Sequence, residues 1–320
     1  MARLRVAFVG LPLAALLLAA DGHDVVYAGI CRDRAPGTRR LRARLGRGRV
    51  FVKPSLTAHA DRVRALAPDV VVSWFWTRKV PASFREAARL AAFGVHPSLL
   101  PRHRGGDPYF AAIDAGDTVT GVTAHLLEDA YDTGHVLGRR ALTLDPSWSA
   151  WRLAKRLDRP SLSLLREVTR AYAEGRPPTP EPQDEALATE AGLLSEEDLE
   201  LDLSMTAEQL ARRVRAASPY PGAYLFVGEA LLTIVRAEAT PAAPHGLQPG
   251  EIAVDPGGAA IVKTRDGGLR LLAARLADDD DDAPDEAGER EPGPERELDR
   301  GEIADLVRAL ARGGEERRFP

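Results

Sequence analysis

Cysteine is nearly absent. A single residue, Cys31, in a chain of 320 excludes an internal disulfide and cannot build a zinc site, which needs several ligands at recurring spacing. A reducing, cytoplasmic compartment is the expectation. Long apolar runs are missing as well. The run at 6–20, VAFVGLPLAALLLAA, is broken by Gly10-Leu11-Pro12 and followed by the polar Asp21-Gly22-His23-Asp24. It reads as strand–turn–helix and not as a secretory signal. No later run reaches the ~18 apolar residues that span a bilayer. A dominant charge is lacking too: the net value is −4, which excludes nothing by itself. Its distribution is uneven, with eleven Arg and Lys against three Asp in residues 1–56 and an acidic stretch at 278–299. At 44% hydrophobic the chain can bury a core, and its length predicts two domains of about 150 residues.

Residues 4–10, 12–21 and 24–30 read as strand, helix and strand, a parallel pair with a right-handed crossover. Gly10 is followed by Leu-Pro-Leu-Ala-Ala, without the second and third glycines of a dinucleotide fingerprint, so neither NAD nor FAD is expected. Residues 31–49 hold eight arginines in nineteen positions. They fit a phosphate- or RNA-facing surface, or a solvated amphipathic helix with Leu41 and Leu45 inward. Strands follow at 50–52 and 68–76, with helices at 57–66 and 81–91. The continuous apolar run PDVVVSWFW marks a central parallel strand. Its end, Trp74-Phe75-Trp76, suits either a flat heterocycle or core packing.

After residues 139–144, read as a strand, Ser147 is the expected N-cap of a helix that breaks at Pro160 and ends near Gly175. Residues 206–217 form a clear helix, with Thr206 and Gln209 in a capping-box pattern. Short strands at 223–227, 231–238, 250–254, 259–264 and 268–276 predict a small barrel. Residues 278–299 read as disordered, and 300–312 as a terminal helix.

The chemistry concentrates in residues 93–137. His96 ends a strand and enters a loop that Pro97 and Pro101 keep irregular. Such strand ends present ligand-binding groups in open α/β sheets. Histidine exchanges a proton near neutral pH without a large shift. Asp132, in a Tyr-Asp-Thr-Gly turn, is placed to orient and charge it. Arg104 and Asp107 are expected to be solvated, and His103 and His125 to be surface or core groups without a metal.

The ordered set His96-Pro97-Ser98-Leu99-Leu100-Pro101, Arg104-Gly105, Thr120-Gly121-Val122-Thr123 and Asp132-Thr133-Gly134 resembles the formyltransferase family that uses 10-formyltetrahydrofolate. Residues 193–224 resemble the linker and first helix of the C-terminal domain in members that act on methionyl-tRNA. The resemblance implies a Rossmann-like, open, mostly parallel sheet with helices on both faces, followed by a small OB-like β-barrel. The expected boundaries are a catalytic domain at 1–176, a linker at 177–192, an OB-like domain at 193–277 and an acidic tail with a short helix at 278–320.

The resemblance also implies formyl transfer from 10-formyltetrahydrofolate, without a metal, to a primary amine, with methionyl-tRNA as acceptor. A nucleotide-linked amino sugar, water, or a non-catalytic folate- or RNA-binding role stays open. His96 and Asp132 become the implied catalytic pair, and Ser98, Leu99, Leu100 and Pro101 part of the folate wall, with a cis Leu100-Pro101 bond. The basic segment 32–49 becomes a surface for tRNA; no membrane or stable protein partner is implied. Two places depart from the family pattern: the basic segment 32–49 carries the charge but not the family's usual glycine-containing loop, and Gly94 stands where an asparagine donates to the oxyanion. Losing one such donor costs about 10²–10³ in rate.

Overall fold

A computed structural model describes residues 3–228, 230–276 and 296–313. The chain forms two compact units. The first holds residues up to Pro108, Thr118–Asp145 and Leu153–Leu193; the second holds Tyr109–Asp117, Pro146–Arg152 and the residues from Leu194 onward.

The first unit is built on a seven-stranded sheet. Its elements run β1 (Arg5–Gly10), α1 (Pro12–Ala20), β2 (Asp24–Ile30), α2 (Thr38–Leu45), β3 (Val50–Val52), α3 (Ala60–Ala65), β4 (Val70–Trp74), α4 (Ala82–Arg85) and β5 (Ala91–His96). After the two-residue β6 (Arg104–Gly105) the chain passes through α5 (Pro108–Asp114), which apart from Pro108 belongs to the second unit, and returns in β7 (Val119–Leu126), β8 (Val136–Thr143), α6 (Ala150–Ala173, from Leu153 on) and a short β9 (Glu190–Ala191). The strand order is β3-β2-β1-β4-β5-β7-β8. The first five strands are parallel, and β7 and β8 run antiparallel. The apolar residues of β1, β2 and β4 explain this: their side chains are buried on both faces, as parallel strands require. At the carboxyl end of β4, Trp74 is packed in the core, and its indole nitrogen donates to Ser161 Oγ at 2.8 Å.

The second unit contains α7 (Glu196–Leu199), α8 (Ala207–Ala217), β10 (Ala223–Val227), β11 (Ala230–Thr240), β12 (Ile252–Val254), β13 (Ala260–Lys263), β14 (Gly268–Leu276), β15 (Arg296–Asp299) and α9 (Arg300–Gly313). Its strands form an antiparallel sheet ordered β10-β11-β14-β13-β12. Strand β14 is shared along its length: β13 pairs with Gly268–Arg270 and β15 with Ala273–Leu276. That division curls the sheet into a half-barrel. Thr206 caps α8 in the expected box, its Oγ1 accepting from Gln209 N at 3.3 Å.

Several local expectations change. The helix expected at 81–91 stops at Arg85 because Arg89 N donates to Pro68 O and Leu90 N to Asp69 O, which draws the chain into β5. The first helical residue of α6 is Ala150, so Ser149 caps it in place of Ser147, accepting from Arg152 N at 3.3 Å. Helix α6 runs through Pro160 without a break; its apolar face, including Leu153, Leu157, Leu164 and Leu165, is buried on both sides of the proline. Residues 296–299, inside the stretch expected to be disordered, pair with β14; the rest of that stretch, 278–295, lies outside the described residues. Leu298, Ile303, Ala304 and Val307 are buried, so α9 is a packed part of the second unit.

Candidate active site

Register fixes the first half of the site. Strand β5 pairs with β4 on one side and β7 on the other, which sets Trp74 beside Val95 and Thr123 opposite His96. The imidazole therefore leaves the sheet at a strand carboxyl end, where the main chain is already held. Thr123 also ties down the following loop: its hydroxyl donates to Ser98 O at 2.7 Å and accepts from Leu100 N at 3.1 Å. Ser98 is fully buried, and its hydroxyl donates to Arg102 O at 2.6 Å. Leu100 and Pro101 are buried around a cis peptide. Of the four residues expected to face folate, Leu99 is the one that keeps partial exposure. Gly121 makes room for it; a Cβ there would lie 2.7 Å from Leu99 Cδ2.

The second half is the turn that carries Asp132. Asp132 adopts φ +57°, in the left-handed region. Gly134 two residues on admits no side chain, since a Cβ would meet Leu126 O at 1.9 Å. The turn brings Asp132 Oδ2 to 3.3 Å from His96 Nδ1. The same oxygen accepts from Gly105 N at 2.9 Å, while Oδ1 lies 3.4 Å from His125 Nε2. One carboxylate thus serves two buried imidazoles and a main-chain amide. Burial alone would raise its pKa; the bond from His125, the two imidazoles and the Gly105 amide hold it down at about 2.

His96 is buried, and burial pushes its pKa below the ordinary imidazole value; the Asp132 carboxylate pulls the other way. Its Nε2 donates to His103 O at 2.7 Å, so both ring nitrogens face oxygen. A neutral ring leaves one lone pair against an oxygen, whereas an imidazolium satisfies both. Burial and hydrogen bonding thus oppose each other on one group, a balance suited to taking up a proton and giving it back.

The residues that sequence reasoning missed lie in two places. His125 was expected to be a bland group, yet it touches Asp132. It sits directly opposite Gly94 in the β5–β7 ladder. The second place is the stretch 177–192 expected to be a linker, which is packed on the site. Glu181 pairs with Val136 through both main-chain bonds, and β9 pairs with β6. Gln183 Nε2 donates to Asp132 O and to Gly134 O, each at 2.7 Å. Arg104 is also unlike its expectation. It is 4% exposed and bonds to Gln183 Oε1 and to both carboxylate oxygens of Glu185. Thr189 Oγ1 accepts from His103 N at 2.9 Å. No hydrophobic period marks these polar residues, so the sequence offered no signal beyond composition.

At Gly94 a Cβ would lie 3.3 Å from Leu127 Cδ2, Ser73 Cβ and Ser73 O. A side chain at this position is crowded, and its neighbours would have to shift by a few tenths of an ångström. Nearby, Trp76 packs with Leu127 against a core that includes Val80 and Phe84, and the Arg78 guanidinium lies 4.7 Å over its ring. The Trp76 indole nitrogen is buried without a partner. An orphaned donor on an aromatic face in the loop following β4 fits a flat heterocycle bearing acceptor atoms. Among the described residues no cluster of three His, Cys, Asp or Glu can hold a metal ion, and no helix is long and apolar enough to cross a membrane.

The basic segment lies elsewhere on the same unit. Helix α2 buries Leu41 and half-buries Leu45. With β3 it borders a cleft of about 1270 Å³ whose lining includes Arg34, Arg39, Arg42 and Arg47.

Comparison with known proteins places these features. The formyl transferase family matches residues 51–169, and that family's C-terminal domain matches residues 193–281. A methionyl-tRNA formyltransferase of Chloroflexus aurantiacus is 32% identical over 288 residues, covering 86% of this chain and 93% of that one. One of Halorhodospira halophila is 36% identical over 218 residues, 68% of this chain and 70% of its own. The fold is shared with the N-formyltransferase of Helicobacter canadensis solved with folinic acid and dTDP-3-aminofucose (TM-score 0.64, 13% identity, 84% of this chain and 98% of that one). It is shared also with HypX of Aquifex aeolicus in complex with tetrahydrofolic acid (TM-score 0.62, 17% identity, 99% and 49%). The chain belongs to the formyltransferase family, whose formyl donor is 10-formyltetrahydrofolate.

Proposed function

We propose that this formyltransferase acts on methionyl-tRNA, with His96 and Asp132 as the catalytic pair. The observation that carries the chemistry is the buried contact of 3.3 Å between His96 Nδ1 and Asp132 Oδ2 at a strand carboxyl end. The acceptor is supported by the methionyl-tRNA formyltransferases that resemble most of the chain. A solitary cysteine and the lack of a membrane-spanning helix among the described residues suit a cytoplasmic enzyme.

10-Formyltetrahydrofolate, as cosubstrate, supplies an activated formyl carbon on N10. The acceptor amine attacks that carbon; a carbon–nitrogen bond forms, and the carbonyl oxygen takes up the electron pair. His96, as imidazolium, stabilises this oxygen by its charge. Asp132 keeps the ring oriented and offsets its charge. The pair then moves the proton released by the amine to N10 as the second carbon–nitrogen bond breaks. Leu99, with the cis Leu100-Pro101 loop behind it, forms part of the folate wall. Arg34, Arg39, Arg42 and Arg47 line a basic cleft that suits the phosphates of the tRNA acceptor stem.

Tetrahydrofolate release is measured with 10-formyltetrahydrofolate alone, with methionyl-tRNA, and with a nucleotide-linked amino sugar. Turnover is expected with methionyl-tRNA alone, falling steeply with salt. Turnover with the amino sugar but not the tRNA would replace this acceptor, and turnover with neither would make water the acceptor.

A further inference from the structure

The strands flanking the Asp132 turn close it with Leu126 N on His135 O at 2.9 Å, and the turn residues beyond that bond need further support. Asp132 lies in the left-handed region, and Gly134 presses on Leu126 O. A non-glycine residue at such a φ costs about 1 kcal/mol or more and persists where its surroundings fix it. Here the fixing group is an amide. Both hydrogens of Gln183 Nε2 are used, one on Asp132 O and one on Gly134 O. Its Oε1 accepts from Arg104 Nε at 3.2 Å and Nη2 at 2.8 Å. Reversing the amide would set its oxygen against two carbonyls and its NH₂ against a guanidinium, so the surroundings allow one orientation. Arg104 closes the circuit, because the next residue, Gly105, donates its N–H to Asp132 Oδ2. The amide and the guanidinium grip the aspartate from its main-chain and side-chain ends.

We infer that Gln183 is a positioning residue for formyl transfer: its amide holds the Asp132 turn so that the carboxylate stays on His96. The inference rests on the reading of His96 and Asp132 given above. A primary amide suits this place because it combines two N–H groups on one atom with one acceptor. Glutamate has the same shape and keeps the acceptor for Arg104. It lacks both donors and sets an oxygen against two carbonyls. The turn then rotates away, and the carboxylate leaves His96.

A displacement of about 1 Å at a reacting group costs roughly 10²-fold in rate. Gln183→Glu is therefore expected to lower kcat about 10²-fold, with KM for 10-formyltetrahydrofolate and for methionyl-tRNA within about threefold of the parent. A second readout requires no turnover. His96 is faced by Asp132, His125 and His103; the Asp132 carboxylate is the largest influence that raises its proton affinity, and the His103 carbonyl raises it too. In NMR titration the His96 ring is expected to titrate at lower pH in Gln183→Glu, as in Asp132→Asn. Glu185→Gln is the control: it loosens the same segment and the same arginine without touching the turn. Its kcat is expected within about threefold of the parent, with the His96 titration unmoved. Gln183→Met carries the same prediction as Gln183→Glu if the added charge prevents folding. Parental kcat and His96 titration in a folded Gln183→Glu or Gln183→Met, beside an inactive Asp132→Asn, overturn the role of Gln183 alone. A fully active Asp132→Asn overturns the catalytic pair, and the positioning role with it.

Discussion

Residues 91–105 and residues 181–191 reach the same aspartate by opposite means, the first through its carboxylate and the second through its main chain. The first stretch hangs from a buried strand. Its side chains are placed by register with β4 and β7, and its loop is pinned by Thr123. Main-chain bonds hold the second stretch to the rest of the unit near its ends, at Glu181 and at Thr189–Ala191, where Thr189 N donates to Pro101 O and Asp107 N to Ala191 O. Side chains place it: Gln183, Glu185 and Thr189 each bond to a residue of the first stretch or to the Asp132 turn. A strand shares the work of positioning over many main-chain bonds, so one lost side chain is tolerated. An irregular segment shares it over a few polar contacts, so each contact matters more.

Asp132 is where the two stretches meet, and its loss gives the largest effect: Asp132→Asn is expected to lower kcat about 10³-fold by removing the charge beside His96. Arg104 comes next. Arg104→Met removes its bonds to Gln183 and Glu185 together and is expected to destabilise the first unit by about 3 kcal/mol in urea unfolding. A change under about 1 kcal/mol would mean that residues 181–191 stay in place without it.

The acid limb of stability is smaller. Asp132 is held at about 2 against an ordinary 3.8. Its contribution, on the order of 2 kcal/mol, is present above pH 3.8 and is lost as pH falls through about 2. Acid unfolding of the parent is expected to include this loss. Asp132→Asn should lack that part of the slope, and parallel curves would count against the coupling. Gly94→Asn is the smallest change. The crowding by Leu127 and Ser73 is expected to cost about 1 kcal/mol in thermal melts, with turnover within about threefold of the parent. A tenfold gain would show that the missing donor limits the rate.

Sequence reasoning read the parallel sheet well, because the mostly apolar runs at 4–10, 24–30 and 68–76 leave little choice but buried strands. It also brought out the His96 and Asp132 stretches, whose prolines and glycines serve local backbone needs that can be recognised in a sequence. It did not reach His125, because cross-strand neighbours are fixed by register and not by spacing. Nor did it reach Gln183 or the buried state of Arg104. A polar stretch rich in proline and glutamate looks the same whether its side chains meet water or a buried guanidinium. Helix α4 ended early for a similar reason: main-chain bonds to Pro68 and Asp69 decided it, and those partners are distant in sequence. The terminal helix was expected at 300–312, but its place in the second unit beside β15 was not, because β15 lies within an acidic stretch.

The roles of His96 and Asp132 are tested most directly by the rate of the chemical step. Single-turnover formyl transfer from saturating 10-formyltetrahydrofolate to methionyl-tRNA isolates that step from binding and release. With Asp132→Asn the rate is expected to fall about 10³-fold while tetrahydrofolate still binds within about threefold of the parent. A rate within about threefold of the parent would contradict the assignment of His96 and Asp132 as the pair that moves the proton.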